Sequence, residues 1–259
     1  MINSIIKIAQ EAGEIVREGF GKNFSFEYKT NLSNLVTEID KKSEKHIKDF
    51  IKKEFPAHGI LAEESGGENT SAEYVWVVDP LDGTTNFAHR LPIFSVSIGL
   101  QKNGKTICGV VNHVMGNEIY SAELGGGAYC NSNKITVKQN DNLRTSLLAT
   151  GFPYDIDENP SNALGIFIEM VKAARAIRRL GSAAIDFCYV ASGIFEGFWE
   201  VHLHPWDICA GQLIVEESGG IITDFTNTPA SIYSQQILCS NKLIHDQMHQ
   251  IIRANLISC

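Results

Sequence analysis

The sequence predicts an α+β fold. Three observations predict it: apolar residues at helical spacing close to both ends, a middle of short apolar or alternating runs broken by Gly and Asn, and a return to alternating helix and strand patterns from about residue 159.

Ile5, Ile8, Ala9, Ala12, Ile15 and Val16 fall on one face of a first helix, which ends at Gly19 and Gly21. A second helix begins at Thr37, whose hydroxyl can cap it, while Asp40 completes a capping-box-like pair. Ile39, Ile47, Phe50 and Ile51 form its buried stripe, up to Pro56. Val75 to Val78 is an apolar run stopping at Asp79-Pro80, the pattern of a buried strand that ends in a polar loop. In the next strand Phe94, Val96, Ile98 and Leu100 alternate with Ser95, Ser97 and Gly99, so one face carries only small residues. Runs at 107–115, 118–123, 127–130 and 146–150 extend this into a meander. Pro160 suits a helix start, and Ile166, Phe167, Met170, Val171 and Ala174 keep helical spacing through to Arg178. Residues 182–192 read as a helix, 195–200 as a strand, 206–218 as a helix closed by Gly219-Gly220, and 221–225 as a strand. Ser240 can cap a last helix carrying Leu243, Ile244, Met248, Ile251 and Ile252. No repeat, low-complexity tract or Pro/Ser-rich linker divides the chain. Residues 1–259 are therefore expected to be a single domain, with an N-terminal α+β half to about 150 and a C-terminal α/β half from about 151.

With 259 residues, 44% of them hydrophobic and 20% charged, the chain can bury a large core and is too apolar for disorder. Its formal net charge of −8 argues against non-specific nucleic-acid binding, since a polyanion would meet a repulsive average field. An acidic protein that handles phosphates needs metal cations, or a few placed Lys and Arg, to make its site positive. The six cysteines are scattered with no zinc-type spacing and read as reduced thiols. Acidic Glu11 and Glu14 follow the first residues before any long apolar run, so no secretory signal is expected, and no membrane-spanning stretch is present. A cytoplasmic location is expected.

Three segments place acids beside apolar elements: Glu63-Glu64-Ser65-Gly66-Gly67, Asp79-Pro80-Leu81-Asp82-Gly83-Thr84-Thr85, and His204-Pro205-Trp206-Asp207. Pro80 fixes φ and Gly83 permits a sharp turn, so Asp79 and Asp82 can converge on one point. Two carboxylates so placed repel unless a cation sits between them. Singly, each segment has an ordinary reading: a turn, a helix-start acid for Asp207, solvated loop charges for Glu63 and Glu64.

Together and in this order they resemble the inositol monophosphatase family, whose signatures have the forms D-P-[IL]-D-G-T-x-N-F and W-D-x-x-[AG]. The first stands here as Asp79 to Phe87 and the second as Trp206-Asp207-Ile208-Cys209-Ala210, with Glu216-Glu217-Ser218-Gly219-Gly220 following. Asn34 to Asp40 and Gly181-Ser182-Ala183-Ala184 extend the likeness over nearly the whole chain. The resemblance implies the layered α-β-α-β-α sandwich of inositol monophosphatases and fructose bisphosphatases, and a Mg²⁺-dependent, lithium-sensitive phosphatase. It implies two to three Mg²⁺ per site: Glu63, Asp79 and the Leu81 carbonyl hold one, Asp79, Asp82 and Asp207 a second, and Glu63 reaches a weaker third through water. These are the hard oxygen ligands that Mg²⁺ prefers. The attacking water would be oriented by the Thr84 hydroxyl and the Asp40 carboxylate; the plain alternative for Asp40 is a helix cap alone, and the two roles can coexist.

The resemblance further assigns phosphate contacts to the backbone of Gly83 and Thr84 and places Lys29 near the metals, where its plain alternative is a solvated amine. It assigns the sugar pocket to Gly181, Ser182 and Ala183, and hydroxyl recognition to Glu200. The segment from Arg178 to Asp186, with Glu200, looks most like bacterial inositol monophosphatases acting on myo-inositol 1-phosphate. Fructose 1,6-bisphosphate is the runner-up, and histidinol phosphate and phosphoadenosine phosphate are other family substrates. A homodimer is implied. One bacterial relative also serves in transcription antitermination, so a transcription-factor partner is a further expectation, on which only the basic pair Arg178-Arg179 bears.

Overall fold

The computed structural model describes residues 1–23, 25–28 and 35–256; Lys29 lies outside the described residues. Helix α1 (Ile2–Gly19) buries the predicted face of Ile5, Ile8, Ala9, Ala12 and Val16. Strands β1 (Phe26–Tyr28) and β2 (Leu35–Thr37) pair antiparallel and lead into α2 (Glu38–Glu54). The predicted capping box is present: Thr37 Oγ1 accepts from the backbone of Ile39 and Asp40, and the Asp40 carboxylate accepts from the Thr37 N–H at 2.9 Å.

A sheet of eight strands follows. Its members are β3 (Gly59–Ala62), β4 (Gly66–Glu68), β5 (Tyr74–Asp82), then after the short helix α3 (Thr84–Ala88), β6 (Ser95–Lys102), β7 (Lys105–His113), β8 (Glu118–Glu123), β9 (Gly127–Cys130) and β10 (Asn133–Lys134). The strand order is β10-β9-β8-β7-β6-β5-β3-β4, antiparallel except for the β3–β5 pair. The C-terminal half runs β11 (Leu147–Thr150), α4 (Ala163–Ala173), β12 (Ala176–Arg178), α5 (Ala183–Ala191), β13 (Gly197–Val201), α6 (Pro205–Glu217), β14 (Ile221–Thr223), β15 (Gln236–Ser240) and α7 (His245–Asn255). Its five strands lie in the order β12-β11-β13-β15-β14, with β11 parallel to both neighbours and β15 antiparallel to both of its own.

Three apolar clusters separate five layers, α-β-α-β-α. The first lies between α1, α2 and the large sheet, the second around α5 and α6 between the sheets, and the third between the small sheet and α4 with α7. Strand alternation feeds two clusters at once: Trp76 and Val78 enter the first, Val77 between them the second. Helix α6 packs closely over glycines of both β6 and β7. A Cβ on Gly99 would stand 2.3 Å from Cys209 Sγ, and one on Gly109 of β7 only 2.7 Å from the Ala210 carbonyl oxygen.

Several expectations need correction. The helix expected to run from Pro160 to Arg178 spans only Ala163–Ala173, because the chain turns extended at Ala174 and residues Ala176–Arg178 pair with β11 as an edge strand. Strand pairing outweighs a local helical pattern that buries only one stripe of the helix, and Val171 is exposed. Ser240 caps no helix: it ends β15, bonds His245 Nδ1 at 2.8 Å, and α7 starts only at His245. Strands β1 to β4, β10 and β12 have two to four residues, too few to show a period, and β15 buries consecutive Ile237, Leu238 and Cys239 without alternation. Strand β5 also does not stop at Asp79-Pro80; it continues to Asp82 with a register shift between Asp79 and Asp82.

Candidate active site

That bulge, the N-termini of α5 and α6, and the loops after β3 and β11 enclose a cavity of about 1140 Å³. Glu63, Asp79, Leu81, Asp82, Gly83, Thr84, Gly181, Ser182, Ala183, Glu200 and Asp207 all line it, so the structure brings these predicted residues together from both halves of the chain. A second groove, about 390 Å³ along α2, is lined by Lys41, Lys45, Lys48 and Lys52, with neighbouring acids that include Glu44 and Asp49, and contains none of them.

The acids are held by backbone and hydroxyl donors. Asp79, on the last turn of the pleat before the bulge, accepts from the Leu81 N–H at 3.0 Å, and Glu63 lies within hydrogen-bonding reach of it. Asp82 Oδ2 accepts from the Ser182 hydroxyl, the Ala184 N–H at 2.9 Å and Ser95 Oγ at 3.2 Å. Asp207, in the first turn of α6, accepts from the His204 N–H at 2.7 Å. Burial pushes the Asp79 carboxyl well above the usual range, and Glu63, Asp82 and Asp207 push it further. Burial raises Asp82 to about 6 against its three donors, and it raises Asp207 strongly, with Asp82 and Glu63 adding to it. Three buried carboxyls, Asp79, Asp82 and Asp207, are all raised, with the Glu63 charge adding to each, so the site is short of positive charge.

Hard oxygen donors from Glu63, Asp79, Asp82 and Asp207, with the Leu81 carbonyl at the same bulge, suit Mg²⁺. Among the described residues no three His, Cys, Asp or Glu side chains are grouped so that they alone could hold a metal ion. Mg²⁺ commonly keeps several waters and binds through one or two carboxylates plus substrate phosphate oxygens.

Asp40 meets this group through Thr84. Its Oδ2 serves the α2 cap, while its Oδ1 lies 2.9 Å from Thr84 Oγ1, whose proton is shared with the Leu81 carbonyl at 3.0 Å. Cap and site are therefore two oxygens of one carboxyl. Burial raises Asp40 to about 6, against the hydroxyls of Thr37 and Thr84. Gly83, in the left-handed region at φ 92, turns the chain from β5 into α3, and a Cβ there would press on the carbonyls of Gly181 and Ile93 at 3.1 Å.

Glu200 also lines the cavity, raised to about 8 by burial and by Asp82, with Arg179 opposing. Gly151 makes its place, since a Cβ there would overlap the Glu200 carboxylate at 2.1 Å. Ser182 is buried with its hydroxyl committed to Asp82, while Gly181 and Ala183 flank it in the wall. Sequence reasoning missed the role of Asn86, inside the first motif: its Nδ2 donates to the carbonyls of Ile93 at 2.8 Å and Leu180 at 2.7 Å and fastens the 181 loop over the acids. It also missed the loop from Gly151 to Ile156, tied down by an Asp155–His202 contact of 3.2 Å, because nothing in its composition marks it.

A profile of the inositol monophosphatase family matches residues 1–256. The chain belongs to the inositol monophosphatase family, whose members are phosphatases. It is 42% identical over 253 residues to a phosphatase of Arabidopsis thaliana named IMPL1, chloroplastic, covering 94% of this chain and 68% of the relative. It is 38% identical over 258 residues to the Nus factor SuhB of Escherichia coli (strain K12), covering 99% of this chain and 97% of that one. The solved structure of inositol monophosphatase from Anabaena (Nostoc) sp. PCC 7120 superposes with a TM-score of 0.89 at 38% identity, over 98% of this chain and 95% of that chain. The layered α+β architecture is that of this family.

Proposed function

We propose that the protein hydrolyses the phosphate monoester of a small polyol, myo-inositol 1-phosphate to inositol and phosphate, in a Mg²⁺-dependent reaction. The observation that carries this reading is the convergence of Glu63, Asp79, Asp82 and Asp207 on one cavity that Thr84 also lines, with the Thr84 hydroxyl bonded to the buried Asp40. Glu63, Asp79, the Leu81 carbonyl, Asp82 and Asp207 would hold two to three Mg²⁺, which would supply positive charge to neutralise the phosphate and make water more acidic. Thr84 Oγ1 orients the attacking water, with Asp40 fixing that hydroxyl and accepting its proton. Backbone N–H groups at Gly83 and Thr84 position the phosphate, and Glu200 with the 181–183 loop orients the polyol. The two halves act as one domain in this reading, because the acids come from both.

The test is phosphate release from inositol 1-phosphate, fructose 1,6-bisphosphate, histidinol phosphate and phosphoadenosine phosphate with Mg²⁺ and then with excess chelator. Turnover of inositol 1-phosphate that chelation abolishes reversibly is expected; full activity in chelator, or turnover of another substrate alone, would overturn it. Millimolar Li⁺ is expected to inhibit uncompetitively at the site of Asp79, Asp82 and Asp207, where half the charge of Mg²⁺ leaves phosphate release unassisted.

The assembly we propose is a homodimer. Leu164, Ile168 and Val171 form an exposed apolar stripe along α4, a surface suited to a second copy. The five described cysteines are free, which supports a reducing, cytoplasmic setting. No helix among the described residues is long and apolar enough to cross a membrane. Identity to a protein named Nus factor supports an added non-catalytic partnership with transcription factors, which pull-down with Asp79→Asn protein separates from catalysis.

A further inference from the structure

One stripe of α2 faces inward: Asp40, Ser43, Glu44, Ile47 and Ile51 are all buried. Their spacing is that of a single helical face. The later half of the stripe, Ile47 and Ile51, is apolar and belongs to the first core cluster. The earlier half is polar, although Ser43 is 0% and Glu44 4% exposed. Buried polar side chains cost stability unless they meet partners, and each of these three meets a different segment of the site. Asp40 reaches Thr84. Ser43 Oγ donates to the Pro80 carbonyl at 2.8 Å, and the N–H of the same peptide, that of Leu81, is the one that donates to Asp79. The Pro80–Leu81 peptide is thereby held through both its polar groups, which fixes its plane within the bulge. Glu44 Oε2 accepts from the Glu64 N–H at 2.8 Å, and Glu63 donates its own N–H to the Val78 carbonyl at 3.1 Å. Glu63 therefore has a tethered amide on either side, one fixed by β5 and one by α2. Residues 63–65 form the turn between β3 and β4, and β4 is the last strand of the sheet. A turn at a sheet edge has no further strand to hold it, so α2 supplies the second anchor.

We infer that Ser43 and Glu44 are positioning residues of this site, acting through the Pro80–Leu81 and Glu63–Glu64 backbones to set the oxygens that would hold Mg²⁺. The inference rests on the metal-dependent reading above. Neither side chain lines the cavity, so replacing them leaves the ligand set intact and changes only how firmly it is placed. Mg²⁺ demands near-ideal octahedral geometry, and loss of a group that orients a metal ligand typically costs about 10–100-fold in affinity. Glu44 spends one oxygen on the Glu64 N–H, and Gln offers one as well.

The experiment compares the unmodified chain with Glu44→Gln, Glu44→Leu, Glu44→Ala and Ser43→Ala. Each is melted in chelator to check its fold and then titrated with Mg²⁺ by calorimetry, which needs no turnover. Glu44→Gln is expected to bind Mg²⁺ within about threefold of the unmodified chain, because the acceptor is kept. Glu44→Leu continues the apolar stripe and is expected to stay folded yet bind Mg²⁺ about tenfold more weakly. Glu44→Ala gives the same comparison without the bulk of Leu, and Ser43→Ala, expected to lose about threefold or more, carries the test at the bulge should neither fold. In assays with inositol 1-phosphate the Mg²⁺ concentration for half-maximal rate should rise by the same factor, while kcat in saturating Mg²⁺ stays within about threefold because Asp40 and Thr84 are untouched. Unchanged Mg²⁺ affinity in the folded Leu, Ala and Ser43→Ala variants, even with lower melting temperatures, would overturn the inference, since a merely structural role predicts that result. A loss in Glu44→Gln equal to that in Glu44→Leu would also overturn it. An unmodified chain that takes up no Mg²⁺ would overturn the metal reading itself.

Discussion

Replacing Asp82 by Asn is expected to make the metal-free protein more stable while removing its activity. Burial is the first cause that lifts the Asp82 carboxyl from the ordinary 3.8 to about 6 in the folded chain. The rise is roughly two pKa units, which corresponds to about 3 kcal/mol. The sign follows from proton counting: between 3.8 and about 6 the folded state binds more protons than the unfolded one, so stability falls as pH rises through that window. Below the window both states are protonated and the carboxyl carries no penalty. Above it the whole penalty is present. Asn in the same place still accepts through Oδ1 from the donors Ser182, Ala184 and Ser95, and the charge that burdens Asp79 and Asp207 is gone. For a chain of this size each kcal/mol moves Tm by roughly 2–4 °C, so a rise of about 6–12 °C is expected at pH 8 in chelator. The gain should shrink towards pH 4 and reverse in saturating Mg²⁺, which stabilises the unmodified chain by binding it. Scanning calorimetry at pH 4, 6 and 8, with chelator or Mg²⁺, measures all three. An Asp82→Asn protein that melts below the unmodified chain at pH 8 in chelator would show that the carboxylate is not an electrostatic burden, and the metal reading would lose its physical basis.

Thr84→Val should lower kcat by about 10²-fold or more, with Thr84→Ser largely active, because the hydroxyl and not the methyl joins Asp40 to the site; equal kcat in both variants would count against that role. Glu200→Ala should change relative rates among sugar phosphates while the Mg²⁺ dependence stays similar, and one uniform loss across substrates would contradict its placement. Gly109→Val should cost at least about 2 kcal/mol in chemical unfolding, since even a Cβ stands 2.7 Å from the Ala210 carbonyl; a smaller loss would mean that α6 is free to shift. Ile168→Asp on the exposed stripe of α4 should shift the oligomer towards monomer by light scattering with activity per site retained if the stripe is the dimer face.

The sequence by itself determined the helices with strong periodicity and clear ends. Thr37 and Asp40 announced the cap of α2, and the capping pair is formed by the groups that the spacing named. The resemblance named the acids that line the cavity; of these only Asp79 and Asp82 are neighbours in the chain, local to one bulge, while Glu63 and Asp207 come from other segments. What only the tertiary structure decided depends on partners distant in sequence. The edge strand β12 exists because β11 lies beside it, against a helical local pattern. Asp82 owes its donors to Ser182 and Ala184, about a hundred positions away, and Glu200 owes its place to the missing side chain of Gly151. The raised carboxyls likewise follow from burial and from charges on other elements. A sequence states which groups are present; desolvation and long-range repulsion act only once the layers have closed over them.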